Sequence, residues 1–408
     1  MAVTSSPISR NALSRVLQSL LTAELRKARG GVTHSTGSLA AITGVWPDAL
    51  RIADNGLLAL GCDSLEVMWL AAAANEMFHL YEAGHEADLL SAETFGAWLD
   101  VIEAGWRSGV TRLTFMTSGS TGVPKRCTHE LSYLRAEIHY LAELFATRKR
   151  IITLVLAHHI YGFLFTAMLP DLLGLEVMAG ERPSPGGLAQ ELRAGDLIVS
   201  IPDRWRWLNH TVMTWPRGVD GVVSTAPCPP ALINSLMERG LHGMTEVYGS
   251  SETAGIATRA WPSSTYRLMQ QWRHVSSIDP KDTALVHASE VQIQLMDRVH
   301  FFEDGSFVLA GRQDEAVQVG GTNVYPARIA ALLRTRPDVA DAEVRLMRPE
   351  EGTRLKAFIV AASEACVDNV HRELEAWIEV HLSPVERPKA LTFGADLPKN
   401  AHGKAMDW

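Results

Sequence analysis

The segment Thr117-Ser118-Gly119-Ser120-Thr121-Gly122-Val123-Pro124-Lys125 constrains this chain of 408 residues more than any other. It follows an apolar, β-prone run (Leu113, Phe115, Met116) and precedes a pattern that predicts a helix, so it reads as a strand–loop element feeding a helix. Its composition suits a loop that wraps a polyphosphate. Glycines let the backbone approach and turn its N–H groups inward, the hydroxyls donate hydrogen bonds, and Lys125 supplies a point charge. The G-x-x-x-x-G-K-[ST] order is absent, which excludes the usual P-loop. Taken alone, the segment would read better as a Ser/Gly-rich surface turn.

The chain is long enough for two or three domains, and with 47% apolar and 21% charged residues it can bury a proper core. A net charge of −8 and the lack of a basic run with interleaved aromatics argue against nucleic-acid binding. The four cysteines, Cys62, Cys127, Cys228 and Cys366, show no C-x-x-C spacing, the pattern of a reduced compartment without a zinc site or disulfide framework. No stretch of 18 uninterrupted apolar residues and no apolar signal core at Met1 to Arg10 are present, so the expectation is a cytoplasmic protein without a membrane span. Nothing in the sequence sets an oligomeric state.

Helical spacing of Val16, Leu17, Leu20, Leu21 and Leu25 predicts an amphipathic helix over residues 11–28. A second is predicted over 63–82, opened by an Asp63…Glu66 capping box, and a third over 94–102. From residue 111 apolar strand runs (151–156, 196–201, 221–225, 244–248) alternate with helices, the signature of an α/β domain. Pro183-Ser184-Pro185-Gly186-Gly187 reads as a loop within it. Past Asp314 a small α+β unit is expected, with strands at 342–346, 355–361 and 390–393 and a helix at 369–382. The expected division is therefore a helical front at 1–110, a core at 111–313 and a small domain at 314–408, which the resemblance described next would make mobile.

Four further segments follow the loop in order. They are Tyr248-Gly249-Ser250-Ser251-Glu252-Thr253-Ala254-Gly255, Gly311-Arg312-Gln313-Asp314, Val319-Gly320-Gly321-Thr322-Asn323-Val324-Tyr325-Pro326 and Leu397-Pro398-Lys399-Asn400-Ala401-His402-Gly403-Lys404. Together with residues 117–125 they resemble the adenylate-forming superfamily of acyl- and aryl-CoA synthetases, peptide-synthetase adenylation domains and luciferases, over residues 111 to 408. The resemblance implies a large α/β adenylate-forming domain and a small α+β domain joined by a hinge. It implies ATP and Mg²⁺ as cofactors and a phosphopantetheine thiol as acceptor.

Residue by residue, the resemblance assigns Thr117, Ser118, Gly119, Ser120, Thr121, Gly122 and Lys125 to the β- and γ-phosphates, Glu252 to Mg²⁺ and Thr253 to the α-phosphate. Ser224-Thr225-Ala226-Pro227 stands at the place of the adenine loop, through Thr225 and Ala226. The family's ribose aspartate normally follows Thr-Gly, which is missing here; spacing from the Asp304-Gly305 turn leads to Asp297 instead. Arg312 is a second ribose or phosphate contact. Lys404 is the expected catalytic lysine, placed to offset the repulsion between a carboxylate and the α-phosphate. Asp314 is the expected hinge, and Gly320 and Gly321 a tunnel wall beside the pantetheine arm, or else a simple turn.

His159 and Gly162 match the family's His-x-x-Gly segment, so His159, Tyr161, Gly162, Tyr248, Gly249 and Ser250 are expected around the acid. Phe163 and Phe165 extend an aromatic neighbourhood that suits a flat acid or plain packing; His158, Trp205, Trp207 and Trp215 read as core. In front, Gly61-Cys62-Asp63-Ser64-Leu65 resembles the phosphopantetheine site of acyl carrier proteins, with a helix N-cap as the simpler reading. His158-His159-Ile160-Tyr161-Gly162-Phe163 and Ser224-Thr225-Ala226-Pro227-Cys228-Pro229 look like the ligases of xanthomonadin and aryl-polyene pigment clusters. That likeness implies activation of 3- or 4-hydroxybenzoate and its transfer to an acyl carrier protein. The alternatives are a CoA synthetase for fatty or cinnamate-like acids and a carrier-docking scaffold without turnover.

Overall fold

The leucines of the first predicted helix do form one. Helix α1 (Arg10–Ala28) starts at Ser9, whose hydroxyl caps Ala12 N–H, and Leu13, Val16, Leu17, Leu21 and Leu25 are buried along its length. A computed structural model describes residues 7–29, 45–53, 58–117, 125–179, 185–275, 284–312, 316–348, 350–362, 367–398 and 408. Helix α2 (Ser64–Phe78) opens on a complete capping box, with Asp63 accepting from Glu66 N–H and the Glu66 carboxylate accepting from Asp63 N–H. After the single turn α3 (Asp88–Ser91), helix α4 (Phe95–Arg107) buries Phe95, Trp98, Leu99, Ile102 and Trp106.

Two compact units are present, one made of Met1–Thr117, Arg126–Gln294 and Phe301–Val308, the other of Ser118–Lys125, Leu295–His300 and Leu309–Trp408. In the first, the front helices are packed onto the rest of the unit. Arg15 donates to the Thr166 carbonyl at 2.9 and 3.1 Å, and the Ser9 hydroxyl donates to Asp171 at 2.7 Å. The capping box accounts for Asp63 and Glu66, and Ser64 is the exposed first residue of its helix.

The loop expected to run straight into a helix meets a strand first. Strand β1 (Arg112–Thr117) pairs with β2 (Lys125–Glu130), and only then does α5 (Leu131–Leu144) begin. Strand β2 buries Cys127 and His129 alone, so its period-two pattern carries no run of hydrophobes to reveal it.

The remaining elements of this unit build an α/β sheet. Strand β3 (Arg150–Thr153) leads into a helix in three parts, α6 (Ile160–Phe163), a π turn over Leu164–Met168 and α7 (Leu169–Leu173). Strand β4 (Glu176–Ala179) and helix α8 (Pro185–Glu191) follow; α8 stands where a loop was expected, its proline in the first turn as helices tolerate, while Pro183 and Ser184 lie outside the described residues. Then come β5 (Asp196–Ser200), α9 (Pro202–Thr211), β6 (Asp220–Val223), α10 (Pro230–Glu238), β7 (Gly243–Ser250), β8 (Ala254–Ala260) and β9 (Tyr266–Leu268). Strands β10 (Trp272–Val275), β11 (Ala284–His287) and β12 (Gln292–Gln294) make a small antiparallel sheet. The hairpin β13 (Asp297–Phe301) and β14 (Ser306–Arg312) carries the chain onward.

The large sheet runs β14-β9-β8-β7-β6-β5-β3-β4, with β13 beyond β14. Its segment β4-β3-β5-β6-β7 is parallel and the rest antiparallel. Every residue of β5 is buried, as a central parallel strand covered on both faces requires. Trp205, Leu208, Ile233 and Leu236 of α9 and α10 pack against Ile152, Ile198 and Val223 on one face. Trp205 and Trp215 are core as expected, and Trp207 is half-buried at its margin. At the amino end of this region Arg150 and Asp196 face each other across β3 and β5 in a buried two-point ion pair at 2.8 and 2.9 Å.

The second unit holds the hairpin β15 (Val317–Val319) and β16 (Thr322–Val324), helix α11 (Pro326–Leu333), strands β17 (Val339–Leu346) and β18 (Leu355–Ala361), helix α12 (Val367–His381) and strand β19 (Ala390–Gly394). Strands β17, β18 and β19 form a sheet against which Ile329, Leu333, Leu374 and Ile378 pack.

Because α1 is buried within the first unit, Leu17→Ala removes a fully buried side chain and costs about 3 kcal/mol. Urea denaturation followed by tryptophan fluorescence checks this. The loss should appear in the main transition, whereas a separate early transition would show that the front folds apart from the core.

Candidate active site

In a parallel region of a sheet, the segments leaving the carboxyl ends of neighbouring strands converge on one edge. Here β3, β5, β6 and β7 are such neighbours, and three of the sequence-picked segments leave from them. His159 precedes α6 at the end of the loop from β3, Ser224-Thr225-Ala226 leaves β6, and Tyr248-Gly249-Ser250-Ser251-Glu252-Thr253 ends β7. The Ser224 hydroxyl donates to the Val247 carbonyl at 2.8 Å, tying the second to the third.

Thr225 adopts φ +76°, a conformation that a β-branched residue avoids. Strain of this kind is held in place only by its surroundings and collects at functional sites. Thr225 is exposed and Ala226 half-exposed at this bend.

The β7–β8 turn is the most tightly specified part of the edge. Glu252 stands exposed at its tip, between two strands. The Thr253 hydroxyl accepts from Ser250 N–H at 3.0 Å, and Thr253 is itself buried. Ala254 lies at φ +53°. Gly249 is required because a Cβ there would sit 2.1 Å from the Ala254 carbonyl oxygen. Tyr248 packs against Tyr266 and Phe307 at ring separations of 5.8 and 6.0 Å.

Sequence reasoning missed the side chains that hold this turn. His129 on β2 donates from Nε2 to the Ser251 carbonyl at 2.7 Å. Tyr133 on α5 donates to the Thr253 carbonyl at 2.9 Å, and Glu137 accepts from Gly255 N–H at 2.8 Å. Trp272 donates from its indole to the Gly255 carbonyl at 2.9 Å. The signal was present: Glu137 falls in the stripe Leu134, Ile138, Leu141, a carboxylate on the apolar face of a helix.

At the β3 edge, His158 bonds Ser19 of α1 through Nδ1 at 2.8 Å and meets His159 edge-on at 4.6 Å. Burial, with His159 and Lys27 adding to it, pushes the His158 pKa down to about 3. His159 is exposed, and the protein mass around its ring, and then Lys27, lower its pKa. Gly162 is required here, since a Cβ would lie 2.0 Å from the Leu156 carbonyl oxygen. The aromatic neighbourhood that suited either a flat acid or plain packing is buried. Tyr161 is buried with its hydroxyl given to the Ser200 carbonyl at 3.2 Å, and Phe163 and Phe165 are wholly buried.

In the second unit, Gly320 and Gly321 form the two-residue turn between β15 and β16, with φ +56° and +80°. A tight hairpin with both central residues at positive φ demands glycine, so the turn itself explains the pair. Asp297 opens β13, half-buried, and Arg312 ends β14. Ser118, Gly119, Ser120, Thr121, Gly122, Asp314 and Lys404 lie outside the described residues; Thr117 and Lys125 end and begin the flanking strands. Beyond Lys404, Trp408 rests edge-on against Phe358 with the Arg345 guanidinium 4.9 Å from its ring centre.

Comparison with protein families matches "AMP-binding enzyme" over residues 111–299 and "AMP-binding enzyme C-terminal domain" over 328–404. The chain belongs to the AMP-binding enzymes. Among curated proteins, this AMP-binding enzyme is 36% identical to a 4-coumarate–CoA ligase of Halorhodospira halophila, over 96% of the chain and 97% of that protein. It is 33% identical to one of Cereibacter sphaeroides, over 98% of the chain and 97% of the relative. The helical front is thus part of what these relatives share. Among solved structures, o-succinylbenzoate CoA synthetase of Bacillus subtilis matches with a TM-score of 0.57 at 18% identity, over 72% of this chain and 67% of that one, a likeness of fold. An AMP-binding enzyme of this acid–CoA ligase type activates an acid with ATP, and the large α/β domain with a small C-terminal domain is the family's architecture.

The histidine at the β3 edge gives a pH signature. Below the ordinary imidazole value of 6.5 the unfolded chain takes up a proton that folded His158 refuses until about pH 3. Stability attributable to this group is therefore full above pH 6.5 and falls as pH drops through that window, by at most about 1.4 kcal/mol per unit. Denaturation of wild type and His158→Gln at pH 7, 6, 5 and 4 should show a shallower decline for the variant; parallel declines would contradict it.

Proposed function

We propose that this enzyme activates a hydroxylated aromatic acid as its acyl-adenylate and passes the acyl group to a phosphopantetheine thiol. A hydroxycinnamate and the thiol of CoA are the leading pair. The observation that supports the reading best is that three segments, carrying His159, Thr225 and Glu252, all leave the carboxyl ends of strands in one parallel region of the sheet. The acid class follows the full-length relatives, both named 4-coumarate–CoA ligase. The hydroxybenzoate and acyl carrier protein suggested by the pigment-cluster likeness rest on the short segments at 158–163 and 224–229.

In the first step a carboxylate oxygen attacks the α-phosphorus of ATP, the bond to the bridging oxygen breaks, and pyrophosphate leaves. In the second the thiol sulfur attacks the acyl carbon, AMP departs, and the thiol proton goes to solvent. Thr225 and Ala226 would border the adenine, Asp297 and Arg312 the ribose, and residues 117–125 the phosphates. Glu252, an exposed carboxylate oxygen donor, suits a hard cation. Among the described residues no three carboxylate, histidine or cysteine side chains gather to hold a metal, which fits an ion that completes its shell with phosphate oxygens and water. Mg²⁺ bound there would neutralise charge on the phosphates. Thr253 would donate to the α-phosphate by turning its hydroxyl hydrogen away from the Ala254 carbonyl, while still accepting from Ser250 N–H. His159 and Gly162, with Tyr248, Gly249 and Ser250, would border the acid. Lys404 would bridge carboxylate and α-phosphate, lowering the barrier where two anions approach. The segment Gly320-Gly321 would pass the pantetheine arm after rotation about Asp314.

Pyrophosphate exchange into ATP, measured with hydroxycinnamates, hydroxybenzoates and fatty acids, tests the reading. Exchange should be strongest with a hydroxycinnamate and fall at least about 100-fold in Lys404→Ala. Product formation with CoA and with a carrier protein then separates the acceptors. Exchange with fatty acids alone would overturn the substrate class.

A further inference from the structure

Tyr133, Glu137 and Tyr140 stand at positions i, i+4 and i+7 of α5, one face of the helix, and His129 precedes them by four residues on β2. Their polar atoms meet, in order, the Ser251 carbonyl, the Thr253 carbonyl, Gly255 N–H and the Thr258 hydroxyl, at 2.7, 2.9, 2.8 and 2.6 Å. For Tyr133 and Glu137 the spacing matches: four residues of helix advance about 6 Å and two residues of extended chain about 6.6 Å, so the two side chains reach Thr253 and Gly255 in turn.

Ala254 sits at φ +53°, on the left-handed side that an alanine disfavours. The bonds from Tyr133 and to Glu137 fall on the two peptide groups that flank it. Gly255 is pinned a second time by Trp272, whose ring also packs edge-on against Tyr133 at 6.0 Å. Tyr133 in turn stacks on His287 at 3.9 Å.

Glu137 is wholly buried, and its second oxygen, Oε1, has no partner. That oxygen lies 2.2 Å from where a Cβ on Gly255 would stand. A buried carboxylate is costly, and an apolar side chain would fill the same stripe of α5 without that cost. Burial also pushes its pKa up to about 7, so near neutrality a glutamine reproduces much of its hydrogen bonding.

We infer that Glu137, Tyr133 and His129 are positioning residues that preset the left-handed β7–β8 turn so that Glu252 is presented ready for a nucleotide-bound divalent cation. This rests on the reading of Glu252 as the Mg²⁺ ligand. The work is done before ligand arrives: with the turn fixed, binding of the metal–nucleotide complex does not have to order it.

Calorimetric titration of the full-length protein with ATP plus Mg²⁺, and with ATP plus EDTA, tests the inference in Glu137→Met, Glu137→Gln and Tyr133→Phe. Glu137→Met and Tyr133→Phe should each weaken binding of the Mg²⁺ complex about tenfold, with metal-free binding changed by less than about twofold, while Glu137→Gln restores affinity to within about threefold. Equal losses with and without Mg²⁺, or wild-type affinity in a folded Glu137→Met protein, would overturn it. Tyr133→Phe, which keeps its ring packing, decides the matter should Glu137→Met not fold. Nucleotide binding needs no acid, so failure of the aryl-acid reading would appear as absent pyrophosphate exchange and leave this result intact.

Discussion

The arrangement depends on one constraint, that the strands β3, β5, β6 and β7 lie parallel and end along a common edge. Parallel strands need crossover helices on both faces, which is why β5 is buried throughout and why α9 and α10 cover one side. Once those faces are covered, the loops at the carboxyl edge are the place where polar side chains can gather without being sealed in. The buried Arg150–Asp196 pair holds β3 and β5 together near their amino ends, away from that edge.

Local strain is the second theme. Thr225 and Ala254 both take positive φ, and they leave and follow adjacent strands β6 and β7. Each conformation needs outside support, which for Ala254 comes from a helix more than a hundred residues earlier in the chain. A site assembled this way is specified by packing at a distance as much as by the residues that would touch ligand.

Much of this was legible in the sequence. The capping box at Asp63 and Glu66, the leucine stripe of α1 and the apolar runs of β3, β5, β6 and β7 are local signals, and local signals survive in a single sequence. What was hidden is non-local. Strand β2 is polar and buries only two of its six residues, so the strand that follows the loop went unread. Tyr161, Phe163 and Phe165 could as well have lined a pocket as a core, and only three dimensions show Tyr161 bonded to Ser200 with both phenylalanines buried. The glycines at 320 and 321 meet the needs of a tight hairpin turn, a backbone requirement that holds whether or not a pantetheine arm passes beside them. Glu137 was readable as an anomaly on an apolar face, but not its partner.

The front helices gain a plain physical account. Arg15, Ser9 and Ser19 of the first helix and its cap bond Thr166, Asp171 and His158 of the following α/β region, so α1 is a layer of that region. Its contact with His158 links it to His159, the neighbour edge-on at 4.6 Å.

The most direct measurement of the central claim is a crystal structure with non-reactive 5′-O-(N-4-coumaroylsulfamoyl)adenosine, the analogue of the proposed acyl-adenylate. The account predicts adenine beside Thr225 and Ala226, the sulfamoyl group by Thr253 and the aromatic ring beside His159. An analogue bound elsewhere, or one that leaves the carboxyl edge of β3, β6 and β7 empty, would contradict it.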